Sequence, residues 1–129
     1  MEEDFLTLLR SITALTDIVP SASIRWGSIP QGQALPYILL TNVSDVRGLH
    51  MNGTNAMESH RVQIDIYALQ YAQCKVSQRA IKDALHGYRQ GAFRLIQDDG
   101  GRDLGLDTSG VQSDRPHRIT NDYIINWSS

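Results

Sequence analysis

The residues best suited to chemistry in this sequence are its histidines and aspartates. The histidines are His50, His60, His86 and His117. The segment "DDGGRDLGLD" contributes the aspartates Asp98, Asp99, Asp103 and Asp107. Histidine, serine and aspartate can assemble a hydrolytic triad from distant positions, and carboxylate oxygens are ligands that calcium takes. Two kinds of chemistry are therefore open: an ion site in the aspartate segment, and a small metal-dependent hydrolase that uses His60, His117 and these aspartates.

The local context of these residues favours a structural interpretation. No G-x-S-x-G motif places a serine at a strained turn. The aspartate segment lacks the alternating D-x-D-x-D-G pattern and the closing glutamate of an EF-hand loop. Neither G-x-x-x-x-G-K-[ST] nor G-x-G-x-x-G occurs anywhere in the chain. We therefore expect a solvated aspartate loop, no metal, no cofactor and no enzymatic activity.

The single cysteine, Cys74, excludes an intrachain disulfide and a multi-cysteine zinc site. Its position in the helical pattern of this region places it near the apolar face with Ile81 and Leu85. We expect it to be buried there as a small hydrophobe.

Five basic residues share one side of the same predicted helix, and we call them the basic stripe: Lys75, Arg79, Lys82, His86 and Arg89. A solvated helix face is the simplest interpretation. The alternative is a docking surface for an acidic partner, either the Asp98–Asp107 segment of a neighbouring subunit or nucleic acid. So few cations would give only weak, salt-sensitive DNA binding, and no interleaved aromatics indicate base stacking.

Two segments predict helices. "EEDFLTLLRSITAL" has apolar residues at helical spacing and an acidic first turn, which favours a helix from about residue 3 to 16. Residues 71–86 form the second helix, with Gly87 at the position of a C-terminal glycine. The apolar face expected for this helix consists of Ala72, Val76, Ala80, Ile81, Ala84, Leu85 and Tyr88.

Alternating patterns predict the strands. In "RVQIDIYAL" the side chains of Val62, Ile64 and Ile66 point to one face, which we expect to be buried. The other face carries Arg61, Gln63, Asp65 and Tyr67, which we expect to be exposed. Further strands are predicted in "PYILLTNVS", "AFRLIQDD" and "HRITNDYIINW", the last ending at Trp127. The segment "SIRWGSIPQGQALP" is broken by glycines and prolines, so it can hold only a short strand and a loop.

These elements predict one α+β domain over residues 1–129. We expect a mostly antiparallel or mixed sheet of about four to five strands, with two α-helices packed on one face. Long loops are expected at about residues 45–59 and 98–116. Met51 and Met57 lie in the first loop, and because methionine adapts to protein surfaces they are candidate partner contacts.

The composition is that of an ordinary globular domain, with 41% hydrophobic and 20% charged residues. The net charge of −2 gives no overall signature of nucleic-acid binding. The N-terminus is acidic and lacks the basic region of a secretory signal, and no apolar run approaches the roughly 20 residues of a membrane span. We therefore expect a cytoplasmic product that does not associate with membranes.

Four segments together resemble a known family: "EEDFLTLLR", "PQGQALPY", "RVQIDIYALQYAQ" with "AIKDAL", and "HRITNDYIINW". In this order, and over nearly the whole chain, they are similar to the small tail-completion proteins of long-tailed bacteriophages and prophages. These are also described as tail-terminator or head–tail joining proteins. The central strand and helix are the most specific part of the resemblance.

The resemblance implies a structural protein of the virion, made in the host cytoplasm, and no enzyme. The family forms rings, commonly hexamers, on the head-proximal end of the tail tube. Such a ring contacts the tube protein and the head–tail connector, and DNA passes through its lumen without sequence-specific binding. A head-completion or neck-connector protein is the structural alternative. The interface candidates on this interpretation are the basic stripe, Arg61, Asp65, Met51, Met57, Asp98, Asp99 and Asp103.

Overall fold

In the computed structural model, the described residues form three α-helices, one short 3-10 helix (Ser21–Ser23) and five strands. The structure describes residues 1–30, 32–47, 58–106 and 116–128, with residues 45–47 and 103–106 described by their backbone alone. The helices are α1 (Glu2–Arg10), α2 (Thr13–Thr16) and α3 (Tyr71–Leu85). The strands are β1 (Ile24–Trp26), β2 (Tyr37–Arg47), β3 (Glu58–Ala68), β4 (Phe93–Leu106) and β5 (His117–Trp127).

All five strands belong to one sheet in the order β1-β2-β3-β5-β4. β1 pairs with β2 in parallel, and the other three pairings are antiparallel. The predicted α+β fold with a mixed, mostly antiparallel sheet is therefore confirmed. No helix in the described residues combines the length and apolar character that a membrane span requires.

The core lies between one face of the sheet and the helices. The expected side chains of β3, Val62, Ile64 and Ile66, are buried there, and Cys74 of α3 is buried with them. Phe5 of α1 packs against Trp26 of β1, with ring centroids 6.0 Å apart. Because α1, α3 and these strand side chains share one face, no helix of the described residues lies on the opposite face of the sheet.

The prediction of one helix over residues 3–16 is wrong at its centre. α1 ends at Arg10, and Ile12 is extended with φ −78° and ψ 102° before α2 begins. The Ser11 hydroxyl donates a hydrogen bond to the Leu8 carbonyl at 2.6 Å. A serine side chain that competes for backbone acceptors in this way favours a helix end. The apolar periodicity of the sequence therefore continues across a point where the helix is interrupted.

The two predicted loops are also shorter than expected. Residues 45–47 continue β2 and 58–59 begin β3, while 98–106 continue β4. Register shifts in β4 after Asp98 and again after Asp103 accommodate the glycine-rich segment as bulges. Gly100, with φ +107°, supplies a backbone conformation that other residues rarely adopt. The remaining loop positions, 48–57 and 107–115, lie outside the described residues.

Helix α3 buries only part of the face that its sequence predicts: Ile81 and Leu85 are buried, and Ala80 and Tyr88 pack against the core. Its buried residues are Cys74, Ser77, Ile81 and Leu85. Ala72 is exposed and Val76 is 46% exposed, and both line a groove with Ile18. The four-residue α2 is too short to cover this side of α3, so part of the apolar face remains at the surface. Gly87 has φ +81°, as expected of a glycine that ends a helix.

Candidate functional site

The basic stripe lies along the exposed side of α3 and reaches the edge strand β4. Arg79, Lys82, His86 and Arg89 are exposed, and Lys75 is half-buried. Together with Gln78, three of the stripe residues line a cleft of about 260 Å³: Lys75, Arg79 and Lys82. The Lys75 ammonium also lies 5.5 Å from the centroid of the Tyr71 ring. The stripe therefore forms a continuous cationic surface with a concave part at its centre.

One carboxylate of the same chain contacts this stripe. The Lys82 ammonium lies 3.0 Å from a carboxylate oxygen of Asp98. The backbone N–H of Asp98 donates to His86 Nδ1 at 3.2 Å. Asp98, which we considered as a partner supplied by a neighbouring subunit, is thus engaged within its own chain.

A polar network holds Asp98 in place beneath α3. Its Oδ1 atom accepts hydrogen bonds from Asn121 Nδ2 at 2.8 Å and from the Gly100 N–H at 3.0 Å. The Asn121 Oδ1 atom accepts from Gln78 at 3.0 Å, so the network reaches back to the helix. Burial favours the neutral acid, but the hydrogen bonds from Gly100, Asn121 and Lys82 outweigh it and lower the pKa of Asp98 below its usual 3.8. The same carboxylate raises the pKa of the Tyr123 hydroxyl, for which burial is the main cause.

The variant Asp98→Asn should lower the free energy of unfolding by about 2 kcal/mol at pH 7, because hydrogen bonds to an ionised acceptor are lost. The folded-state pKa of Asp98 lies below the unfolded value, so its contribution is complete above pH 3.8 and disappears as pH falls through the folded-state pKa. Urea unfolding of wild type and variant should therefore give different midpoints at pH 7 that converge toward pH 2.5.

Asp83→Asn is the matched control, since Asp83 is exposed on the same helix and forms no ion pair with the described residues. It should change stability little at either pH. A difference between wild type and Asp98→Asn that stays constant down to pH 2.5 would show that the ionised form of Asp98 is not what stabilises the fold.

The second candidate surface is the face of the sheet on which none of the described helices lies, and we call it the uncovered face. Arg61 forms ion pairs there with Asp99 and, at 3.3 Å, with Asp122. The hydrogen bond and charge of Asp99 raise the pKa of Arg61, so the guanidinium stays protonated. Arg61 thus connects β3 to β4 across the intervening strand β5.

The prediction that Asp65 and Tyr67 are exposed is wrong. Asp65 is 1% exposed and Tyr67 is 9% exposed, although both point to the uncovered face. Arg118 lies 3.2 Å from the Asp65 carboxylate and 5.4 Å from the Tyr67 ring centroid, and Gln63 donates to Asp65 at 2.9 Å. β3 is the middle strand of the five, so neighbouring side chains on both sides enclose Asp65 without a helix above it.

Arg118, Asn121 and Asp122 are site residues that the sequence reasoning did not identify. The signal lies in the pairing of β3 with β5. Asp122 is opposite Gln63, so Arg61 reaches it on the diagonal. Arg118 is opposite Tyr67 and reaches Asp65 in the same way. Diagonal neighbours in an antiparallel pair are within reach of long side chains, and opposite charges at this offset become visible once the register is known.

The histidines of the hydrolase alternative lie far apart. His117 is opposite Ala68 at one end of β3, and His60 is eight positions away along that strand. At the usual rise of a strand this separation is about 27 Å, so His60 and His117 cannot serve one catalytic centre. His60 instead contacts Glu58 at 2.9 Å. Among the described residues, no three histidine, cysteine, aspartate or glutamate side chains come together as a metal site.

Several predicted site residues are outside the part of the chain that the structure describes. These are His50, Met51, Met57 and Asp107, and Asp103 is described by its backbone only. Their roles as partner contacts or ligands remain predictions. Cys74, by contrast, is placed as expected: it is buried, and its thiol contacts the His117 carbonyl at 3.5 Å.

Comparison with known proteins relates this fold to phage particles. A chain of a solved structure entitled "Virion of native gene transfer agent (GTA) particle" has a TM-score of 0.67, and the match covers 95% of this chain and 90% of that chain. The sequence identity is 17%, so the likeness is one of fold. No curated protein sequence matches significantly. Residues 3–120 match the family described as "Tail completion protein gp17". This match spans nearly all of the chain, and the protein therefore belongs to that family of phage structural proteins.

Proposed function

We propose that this protein closes the head-proximal end of the phage tail tube as a ring and joins the tail to the head. The observation that carries this proposal is the family match over residues 3–120. Support comes from the fold, which resembles a chain of the gene transfer agent virion over 95% of this chain. On this proposal the protein acts in the neck of the virion after assembly in the host cytoplasm.

The distribution of charge suits a protein whose function is to present surfaces to partner proteins. The basic stripe and the ion pairs of the uncovered face are organised by contacts between neighbouring strands and α3. Such surfaces give specificity and orientation to protein association. The ring is a hexamer on this proposal. Its faces contact the tube protein and the connector, and DNA passes through its lumen without base-specific contacts. Ring closure uses a head-to-tail interface without producing an open filament.

Deletion of the gene from its parent phage or prophage tests the function directly. Electron microscopy should show tails of excess or irregular length that do not join to heads, and a plasmid copy of the gene should restore normal particles. Tails of normal length attached to heads in the deletion strain would contradict the proposal. Normal tails together with heads that leak DNA would instead identify a head-completion protein.

A further inference from the structure

The exposed acidic residues of α1 lie together at one end of the molecule. Glu2, Glu3 and Asp4 occupy the first turn of α1 and are all exposed, and we call them the acidic turn. Glu3 and Asp4 form no ion pair with any described residue. Glu2 is anchored at the edge of the sheet, where its carbonyl accepts a hydrogen bond from Trp26 Nε1 at 2.9 Å.

Exposed cations occupy the other end. Arg79 and Arg89 of the basic stripe are exposed, as is Arg94 at the start of β4, and none of the three forms an ion pair within the described part of the chain. Arg89 and Arg94 also share a cleft of about 230 Å³. Among the described residues of α3, Asp83 is the exposed carboxylate that borders the stripe, so the exposed cations of this helix outnumber its exposed acids.

A single row of residues across the sheet links the two ends. Asn42 is opposite Val62, Val62 is opposite Tyr123, and Tyr123 is opposite Asp98. The Glu2 carboxylate contacts Asn42 at 3.4 Å at one end of this row. The Lys82 ammonium contacts Asp98 at 3.0 Å at the other end. The acidic turn and the basic stripe therefore lie on the same face of the sheet, at its opposite sides.

Glu3 and Asp4 form no ion pair with Arg79, Arg89 or Arg94 within the described residues. The row itself spans three strand spacings, which is about 14 Å. Glu2 and Lys82, whose contacts mark its two ends, are therefore separated by more than the screening length of about 8 Å at physiological ionic strength. The aspartate considered first as an external partner, Asp98, already pairs with Lys82 of its own chain. Arg79, Arg89 and Arg94 have no acidic partner among the described residues, so an acidic surface of another molecule can pair with them.

We propose that the acidic turn of one copy docks against the α3 side of the next copy, where Arg79, Arg89 and Arg94 receive Glu3 and Asp4. This inference rests on the proposed ring, because it gives that ring its subunit interface. The two surfaces differ, so the contact is head-to-tail, and repeating it closes a ring when the rotation between copies divides a full turn. A second copy is the favoured partner because the chain itself carries both sets of charges, and within the described residues neither set forms an ion pair with the other.

Cross-linking in assembled particles tests the proximity of the two surfaces without changing the charges that make the contact. Thr7→Cys places a thiol one turn after Glu3, and Asp83→Cys places one a turn after Arg79; both positions are exposed. Cys74 is buried and should not react. With a short bis-maleimide, tails that carry the double variant should give a ladder of multimers on a denaturing gel. Either single variant should remain monomeric.

Charge reversal tests the chemistry of the contact. Glu3→Lys with Asp4→Lys, or Arg79→Glu with Arg89→Glu, should each reduce complementation of the deletion strain about tenfold or more, because like charges then face each other. Co-expression of the two variants should restore titre. When the two variants alternate in a ring, the reversed acidic turn of one meets the reversed arginine surface of the other, and the two unchanged surfaces also meet. All four changes in one chain should also restore it. Lys82 is left intact so that its contact with Asp98 is not disturbed.

Arg25→Glu is the matched control, because Arg25 is exposed on β1 outside both surfaces, and it should leave titre unchanged. Infectious particles that contain the double-cysteine protein yet give no multimers would overturn the interface. So would a loss of titre confined to the arginine variant without rescue, which would point to nucleic-acid phosphates as the partner. Overlong tails in the deletion strain combined with either result would leave the proposed function intact and reject this interface alone.

Discussion

Replacing Arg118 with alanine should lower the free energy of unfolding by about 3 kcal/mol. The variant removes the guanidinium that lies 3.2 Å from the Asp65 carboxylate, while that carboxylate remains 1% exposed in the middle of the sheet. The hydrogen bond from Gln63 stays, but it cannot neutralise the charge. Arg118 also covers the Tyr67 ring, so the variant loses the packing of the Arg118 aliphatic stem and a cation–π contact as well.

A second variant separates the effect of the unpaired charge on stability from the effect of lost packing. Asp65→Leu combined with Arg118→Met removes both charges at similar volume and should be far less destabilising than Arg118→Ala, because no ion is left unpaired. Equilibrium denaturation in urea measures all variants. A loss below about 1 kcal/mol for Arg118→Ala would place the pair in the range of solvated surface contacts. In that case contacts other than this ion pair would stabilise the uncovered face.

The sequence predicts the parts of this fold that depend on local patterns. β3 alternates apolar and polar residues, and its apolar side is the centre of the core. The C-terminal glycine of α3 and the burial of Cys74 follow from helical spacing in the same way. These features succeed because a strand or helix with one apolar face has few other ways to remove that face from water.

The features that depend on tertiary contacts were not predictable from those patterns. Alternation assigns Asp65 correctly to the uncovered face, but the burial of Asp65 follows from the position of β3 as the middle strand of the sheet. Val76 belongs to the apolar side of α3 by spacing, yet the short α2 leaves it exposed. The partner of Asp98 is set by the bulged path of β4, which brings an expected loop residue beneath Lys82. In each case the decisive neighbour is distant in sequence.

The variant Phe5→Ala should lower the free energy of unfolding by about 3–5 kcal/mol and release α1 from the sheet. Phe5 is fully buried and contacts both Trp26 and Phe93, with ring centroids 6.0 Å and 6.4 Å apart. Together with Leu9, the other fully buried side chain of α1, it fixes the helix against the core. Because the acidic turn immediately precedes it, loss of Phe5 should also abolish the cross-linking between copies.

Tryptophan fluorescence can distinguish release of α1 from global unfolding. In a Trp127→Phe background the remaining indole is Trp26, which donates to the Glu2 carbonyl and packs on Phe5. Phe5→Ala should shift Trp26 emission to the red at denaturant concentrations where the circular dichroism of the sheet is unchanged. Phe5→Leu keeps most of the apolar volume and should preserve both emission and cross-linking with a smaller loss of stability. If Phe5→Ala left the Trp26 emission and the multimer ladder intact, α1 would be held by other contacts, and Phe5 would not be the residue that presents the acidic turn.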